Sequence, residues 1–451
     1  MKTVMSVTTR APEPHSAKDK DTFAYKTVAH RLPVILTKAI DTTCRRLKSL
    51  VESGVVSSDH RLDAEQEMKD SIGRMAKLRN ELQTDKPFVE LVSTAPDVHI
   101  WNRCLSDHMS EFRCEPKWFT TSWLYAECYL YRRVREAFQL TQYVNTFDPF
   151  SESKEEALKS SIHAIEVLTE FMRTSFATKD TDIETEFTRF IELSLWGNKC
   201  DLSLSAGSQT NQFANPTQDL IQMRDFIIDN HTKQLWHFVD TYRSSSDGLQ
   251  LSLVLDNSGF ELFTDLCLIE FLETSGILND KSVVKFYVKS MPWFVSDVMT
   301  KDFHWFLRYL CDDSNTHSSA VKELAHKWTH NLKTGKWLII DDHFWTLPHD
   351  FSQMKTISPQ LYHSLSESNL IVFKGDLNYR KLTADLKWDL SVPFDTSLRG
   401  FLPTTLCSLR TIKADVVVGI QDKQMLQKIH TFADNWRETG DYAVIQLAIK
   451  Q

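Results

Sequence analysis

Four short segments of this chain place reactive side chains directly after an apolar run. In Leu251–Leu262, LSLVLDNSGFEL, the run ends in Asp256, Asn257, Ser258 and Gly259, and a helix pattern starts at once. That sets a carboxylate, an amide oxygen, a hydroxyl and a helix N-terminus side by side, a combination able to hold a hard cation and an anion. A second run, from Val283 to Val288, is followed by Asp297 ahead of another helix pattern. A third, Leu370–Phe373, ends in Lys374-Gly375-Asp376-Leu377-Asn378-Tyr379-Arg380, and a fourth, from Leu406, carries Arg410, Thr411 and Lys413. Two aspartates and an asparagine form an oxygen-only set that suits Mg²⁺ or Mn²⁺ better than zinc or copper. Beside such an ion, Lys374, Arg380 and Lys413 could neutralise a phosphate, so the chemistry suggested is metal-assisted phosphoryl hydrolysis. An aspartate after a strand also serves simply as the N-cap of the next helix, and each residue taken alone is open to that reading. Haloacid-dehalogenase phosphatases need a second aspartate two residues after the first, where this chain has Ser258.

These residues make sense at the carboxyl ends of parallel strands, where open α/β sheets bind their ligands. Strand patterns are predicted at Leu251–Leu255, Val283–Val288, Trp337–Ile340, Leu370–Phe373, Leu406–Ile412, Val416–Ile420 and Tyr442–Leu447, the last as an antiparallel edge. Helical stretches such as Phe260–Leu272 and Val298–Leu310 alternate with them, which argues for a parallel sheet with helices on its faces. From about residue 22 to Arg243 the period is helical instead. Leu32, Ile35, Leu36 and Ile40, and again Ile72, Met75, Leu78 and Leu82, step by three or four residues. Ser151–Phe176 reads as one helix with Ser153 and Glu156 as a capping box. The expected organisation is a disordered polar leader over 1–21, a helical domain over 22–245 and an α/β domain over 246–451.

Composition removes several classes of function. Twelve glycines in 451 residues, none within two positions of another, leave no dinucleotide fingerprint, kinase glycine loop or GxSxG elbow. The eight cysteines form no CxxC pair, so a zinc site is not expected. With 52 basic against 60 acidic residues and no block of like charge, the net charge of −8 points away from nucleic acid and membrane and toward a small partner. The N-terminus lacks the apolar segment of a secretory signal, and no uncharged run is long enough to span a bilayer. A reduced compartment, cytoplasmic or also nuclear, is the expectation.

The motifs, taken in order, resemble the metal-dependent damage-control phosphatases, specifically the subfamily also called acidic residue methyltransferase or protein-glutamate O-methyltransferase. The resemblance runs nearly the whole chain from Phe23, through LRNELQTDKPF at Leu78–Phe88, WLYAECYLYRR at Trp123–Arg133, LWGNKCDLSLS at Leu195–Ser205, LDNSGFEL at Leu255–Leu262, MPWFVSD at Met291–Asp297, FWTLPH at Phe344–His349, FKGDLNYRKL at Phe373–Leu382 and an RTxK element at Arg410–Lys413. It implies a three-layer, Rossmann-like α-β-α sandwich with a mostly parallel sheet and an N-terminal helical domain. It also implies a divalent ion on Asp256, Asn257 and Asp297, with Mn²⁺, Co²⁺ or Ni²⁺ supporting activity and Mg²⁺ a further candidate. Substrate contacts would fall on Asp256 and Asn257, on Asp376, Leu377, Asn378, Tyr379 and Arg380, and on Lys413; the implied substrates are sugar phosphates such as fructose 1-phosphate and fructose 6-phosphate. Asn198 and Asp201 in WGNKCD resemble the family's GNxxD element and could lend a side chain to the cleft or cap a loop. Glu127 and Arg132, on an aromatic-rich helix, fit a buried ion pair bridging the domains as well as substrate binding.

Two other functions stand beside this one. The subfamily's second name implies S-adenosylmethionine-dependent methylation of glutamate side chains in proteins, linked to the DNA-damage response. The single glycine of DNSG argues against it, since Rossmann-type methyltransferases usually offer a glycine-rich loop there. A non-catalytic interaction protein is disfavoured because every proposed metal and phosphate position holds a competent residue.

Overall fold

In the computed structural model, residues 11–47, 60–177, 182–206 and 222–450 are described. Seven strands form one sheet: β1 Ile227–Asn230, β2 Leu251–Val254, β3 Val284–Lys289, β4 Trp337–Asp342, β5 Leu370–Lys374, β6 Thr405–Thr411 and β7 Ala443–Ala448. Their spatial order is β1-β7-β6-β5-β2-β3-β4. Every pairing is parallel except β6 with β7. At the centre, Leu253 pairs with Phe286 on one side and Val372 on the other. β2 and β5 are buried along their whole length, the signature of parallel strands covered on both faces.

Strand alternation divides the sheet's side chains between two apolar layers. Val254, Tyr287, Ile371 and Phe373 face one core, shared with helices Leu32–Leu47, Arg61–Gln83 and Trp123–Gln139. Leu253, Phe286, Leu370 and Val372 face the other, shared with helices Ile162–Ala177, Ile183–Ala206, Phe260–Thr274 and Thr300–Cys311. The result is the expected α-β-α sandwich. Helices from the first half cover both faces, and β1 belongs to the sheet although it falls inside the segment read as wholly helical. Its four residues, IIDN, are too short to announce a strand against that background.

Other expectations change in detail. Ser151–Phe176 is two helices, Ser151–Ser160 and Ile162–Ala177, and Ser153 lies inside the first, its hydroxyl donating to the Phe150 carbonyl at 2.8 Å instead of capping. Val416–Ile420 is buried but forms no strand. Its backbone is met by side chains and a loop: the Val416 carbonyl accepts from Arg410 Nη1 at 2.6 Å, the Val418 amide donates to the Tyr379 hydroxyl at 3.2 Å, and the Gly419 amide donates to the Val392 carbonyl at 2.8 Å. β7 is antiparallel to β6 as expected, yet β1 covers it and forms the edge. The described part of the polar leader, 11–21, is docked. Pro14 bridges Leu386, Ser16 bridges Ser122, the His15 amide donates to the Asp385 carbonyl at 2.9 Å, and Ala17 is buried. Composition registers its polarity but not these backbone partners.

Candidate active site

From β2 the chain crosses to β3 on one side while β5 lies on the other, so the carboxyl ends of β2 and β5 flank the crevice where the strand order reverses. Asp256 and Asn257 leave β2 into this crevice. The loop before helix Thr300–Cys311 is zipped to them: Asn257 bridges Asp297, the Val298 amide donates to the Asp256 carbonyl at 2.9 Å, and the Ser258 amide donates to the Ser296 carbonyl at 2.9 Å. Two residues of that loop, Phe294 at φ 42° and Val295 at φ 69°, sit in the left-handed region, costly for a β-branched side chain. This turn sets Ser296 and Asp297 against Asn257. Lys289, at the end of β3, donates to the Leu255 carbonyl at 2.9 Å and ion-pairs with Asp297 Oδ2 at 3.2 Å.

Gly375 opens the helix Gly375–Leu382 after β5, at φ 83°. A Cβ there would lie 1.9 Å from Asp256 Oδ2, so only glycine lets the two strand ends approach this closely. The next residue, Asp376, accepts from Arg410 Nε at 2.8 Å and from the Lys413 amide at 3.0 Å, which fixes the RTIK turn beyond β6. Asp256, Asn257, Glu261, Asp376, Thr411 and Lys413, with Leu195 from helix Ile183–Ala206, line a cavity of about 30 Å³, room for about one water.

Charge is crowded here. Burial raises the Asp256 carboxyl well above its ordinary range, and the neighbouring Glu261 and Asp297 push it the same way. Burial lifts Asp297 to about 6 despite the opposing pull of Lys289. Carboxylates that resist ionising together favour an added positive charge. Among the described residues no group of three or more His, Cys, Asp and Glu side chains is disposed to hold an ion. The candidate set contains two such side chains, and its third member is the amide of Asn257. The all-oxygen donors and the crowded acids fit a hard divalent cation.

The helix Gly375–Leu382 separates the residues expected to bind substrate. Asp376 lines the cavity, whereas Leu377, Asn378, Tyr379 and Arg380 are buried elsewhere. Asn378 Nδ2 donates to the Lys374 carbonyl at 2.8 Å and the Val254 carbonyl at 3.3 Å, clamping the strand ends. The Tyr379 ring lies under the Arg410 guanidinium at 4.1 Å. Arg380 donates to Glu127 at 2.6 Å and Asp385 at 2.9 Å and stacks 3.6 Å over Trp123. Glu127 therefore does bridge the two halves, with Arg380 as its partner, while Arg132 pairs with Asp97 at 2.6 Å. Lys374 is buried among Ser194, Asp265 and Glu261, and Arg410 is fully buried on Asp376 and the carbonyls of Val416 and Ala414. Asn198 and Asp201 lie on helix Ile183–Ala206, but their side chains fall outside the described residues. The sequence reading assigned no role to Glu261, Lys289, Ser296 or Thr411. Glu261 carried a signal, standing four residues after Asn257 at the start of a helix.

The α-β-α sandwich thus gathers acid, amide and lysine side chains at its switch point, where open α/β sheets bind their ligands. The sequence pattern of the damage-control phosphatase ARMT1-like domain matches residues 27–429, and the chain belongs to this family of phosphatases. It is 41% identical over 445 residues to the damage-control phosphatase ARMT1 of Bos taurus and 40% identical over 445 residues to that of Homo sapiens; each alignment covers 96% of this chain and 98% of the relative. A crystal structure of a DUF89 family protein from Pyrococcus horikoshii, 14% identical, superposes with a TM-score of 0.39 over 79% of this chain and 91% of that one. The relatives bear the phosphatase name, and neither they nor the site supports glutamate methylation. Among the described residues no helix is long and apolar enough to cross a membrane.

Proposed function

We propose that the protein is a metal-dependent phosphatase of sugar phosphates such as fructose 1-phosphate and fructose 6-phosphate. The observation that carries the reading is the junction of the Asp256-Asn257 loop with Asp297, together with the cavity that Asp256 and Asn257 share with Lys413 in the β2/β5 crevice. Asp256, Asn257 and Asp297 would hold the ion, Mn²⁺, Co²⁺, Ni²⁺ or Mg²⁺, which supplies polarisation of a phosphoryl oxygen. Lys413 places a compact positive charge against the phosphate, where charge builds during transfer. Asp376 fixes Lys413 through the backbone amide and keeps a carboxylate oxygen at the cavity for the sugar hydroxyls. Lys289 holds Asp297 and the end of β2 in place.

The test is phosphate release from a panel of sugar phosphates by chelator-treated protein, with and without added Mn²⁺ or Ni²⁺, beside Asp256→Ala. Turnover of the fructose phosphates should require the metal and fall by about 10³-fold or more in the variant. Thermal unfolding should shift little, because the lost carboxylate sits in crowded charge and not in apolar packing. Release that survives both chelation and Asp256→Ala would sink the reading.

A further inference from the structure

We infer that Glu261 is a positioning residue that fixes which end of the Asn257 amide faces the metal; the inference rests on the metal-dependent reading above. Asn257 Nδ2 lies 3.0 Å from Asp256 Oδ2 and 2.8 Å from Glu261 Oε2. Both amide hydrogens are taken by these two carboxyl oxygens, so the amide oxygen points the other way. There it accepts from the Ser296 hydroxyl and keeps a second lone pair. A hard cation binds that oxygen and is repelled by the NH₂ group, so the flip state decides whether Asn257 can be a ligand at all.

Glu261 is suited to holding and not to binding. Its side chain is buried, and Oε1 is occupied 3.6 Å from Lys374 Nζ. That ammonium is anchored in turn by Asp265 Oδ1 at 2.6 Å and Ser194 Oγ at 2.9 Å. Lys374 is the last residue of β5, next to Gly375, whose missing Cβ admits Asp256. One strand end thus sets the position of Asp256 directly and the orientation of Asn257 through Lys374 and Glu261. Such outer partners commonly alter metal affinity by about 10–100-fold.

The experiment is a titration of the purified full-length protein with Mn²⁺, free ion being read by electron paramagnetic resonance without substrate. Glu261→Ala should weaken Mn²⁺ binding by about 10-fold or more, and Glu261→Gln, which keeps an acceptor oxygen, should restore most of it. Glu261→Met, of similar volume, serves where the alanine variant does not fold. The same change is then made with Asn257→Asp, whose two carboxylate oxygens have no wrong orientation. In that background removing Glu261 should weaken Mn²⁺ binding far less than it does in the wild type, because only a neighbouring charge is lost and no orientation. An equal loss in both backgrounds, or wild-type affinity in Glu261→Ala while Asp256→Ala binds none, overturns the positioning role and leaves the metal site standing. Wild-type Mn²⁺ affinity in Asp256→Ala would instead remove the metal site, and the inference with it.

Discussion

Asp376 and Arg380 stand four residues apart on one short helix, yet they belong to clusters built on different principles. Around Arg380 a guanidinium is enclosed by Glu127, Asp385 and the face of Trp123, and both carboxylates are paired within 3 Å. Around Asp256 the acids crowd one another: Glu261 and Asp297 both disfavour its ionisation, and among the described residues no cation lies within ion-pair distance of it. The first cluster is closed and joins helix Trp123–Gln139 to the sheet. In the second, Lys289, Lys374 and Arg410 are taken by Asp297, Glu261 and Asp376, and Asp256 is left without a cation of its own beside a cavity. Charge that is paired builds scaffold, and a carboxyl left unpaired at a strand end prepares a site.

The largest effect expected from this contrast is at Gly375. Gly375→Ala would drive a Cβ into the Asp256 carboxylate and strain a residue at φ 83°. Activity should fall by about 10³-fold, with about 1–2 kcal/mol lost from the backbone conformation alone. Gly400 has the same kind of backbone, φ 87°, with nothing within 4 Å of its added Cβ. Gly400→Ala should therefore cost only the conformational part and leave turnover intact. Equal activity in the two variants would show that the close approach of β5 to Asp256 is immaterial.

Arg380 comes next. Arg380→Met strands two buried carboxylates and should destabilise the protein by about 3–5 kcal/mol in chemical denaturation. Burial pushes the Glu127 carboxyl up despite its partner. Glu127→Gln leaves Arg380 paired with Asp385 and should cost only about 1 kcal/mol. If Arg380→Met left stability untouched, the cluster would not be scaffold, and Arg380 would return to the substrate side of the comparison.

How much of this could be read from the sequence depends on the spacing of the information. That Asp256, Asn257 and Asp297 come together was legible because each follows an apolar run, and strand ends of a parallel sheet gather by topology. The stretch Asp376–Arg380 reads as one contact set only while its helix is unrecognised, since at 100° per residue five consecutive positions circle the helix and cannot all face one ligand. Glu261 needed a helix register that starts only after Gly259. β1 and Val416–Ile420 failed in opposite senses: a short polar strand joined the sheet because β7 offered its edge, and an apolar run stayed out because Arg410, Tyr379 and Gln446 had already met its backbone. Local pattern states which backbone is apolar; only the fold states who meets its hydrogen bonds.

The smallest effect concerns the N-terminal segment, and it asks which of the two neighbourhoods that segment serves. Asp415, two residues beyond Lys413, accepts from the Phe23 amide at 3.2 Å and from the Ala24 amide at 3.0 Å, capping from a distance the helix that Thr22 caps locally. The turn carrying Lys413 is thus held at one end by Asp376 and at the other by the start of helix Phe23–Lys26. Asp415→Asn keeps one acceptor and loses the charge, so the cost should be about 1 kcal/mol. Hydrogen exchange should locate it: the Phe23 and Ala24 amides should exchange faster while those of β2 keep their protection. Accompanying faster exchange at Lys413 would place the N-terminal segment on the active-site side, as a wall behind the phosphate-facing lysine. Unchanged exchange at Lys413 would assign it to the Arg380 side, where its pairing with Asp385 and Leu386 already ties it.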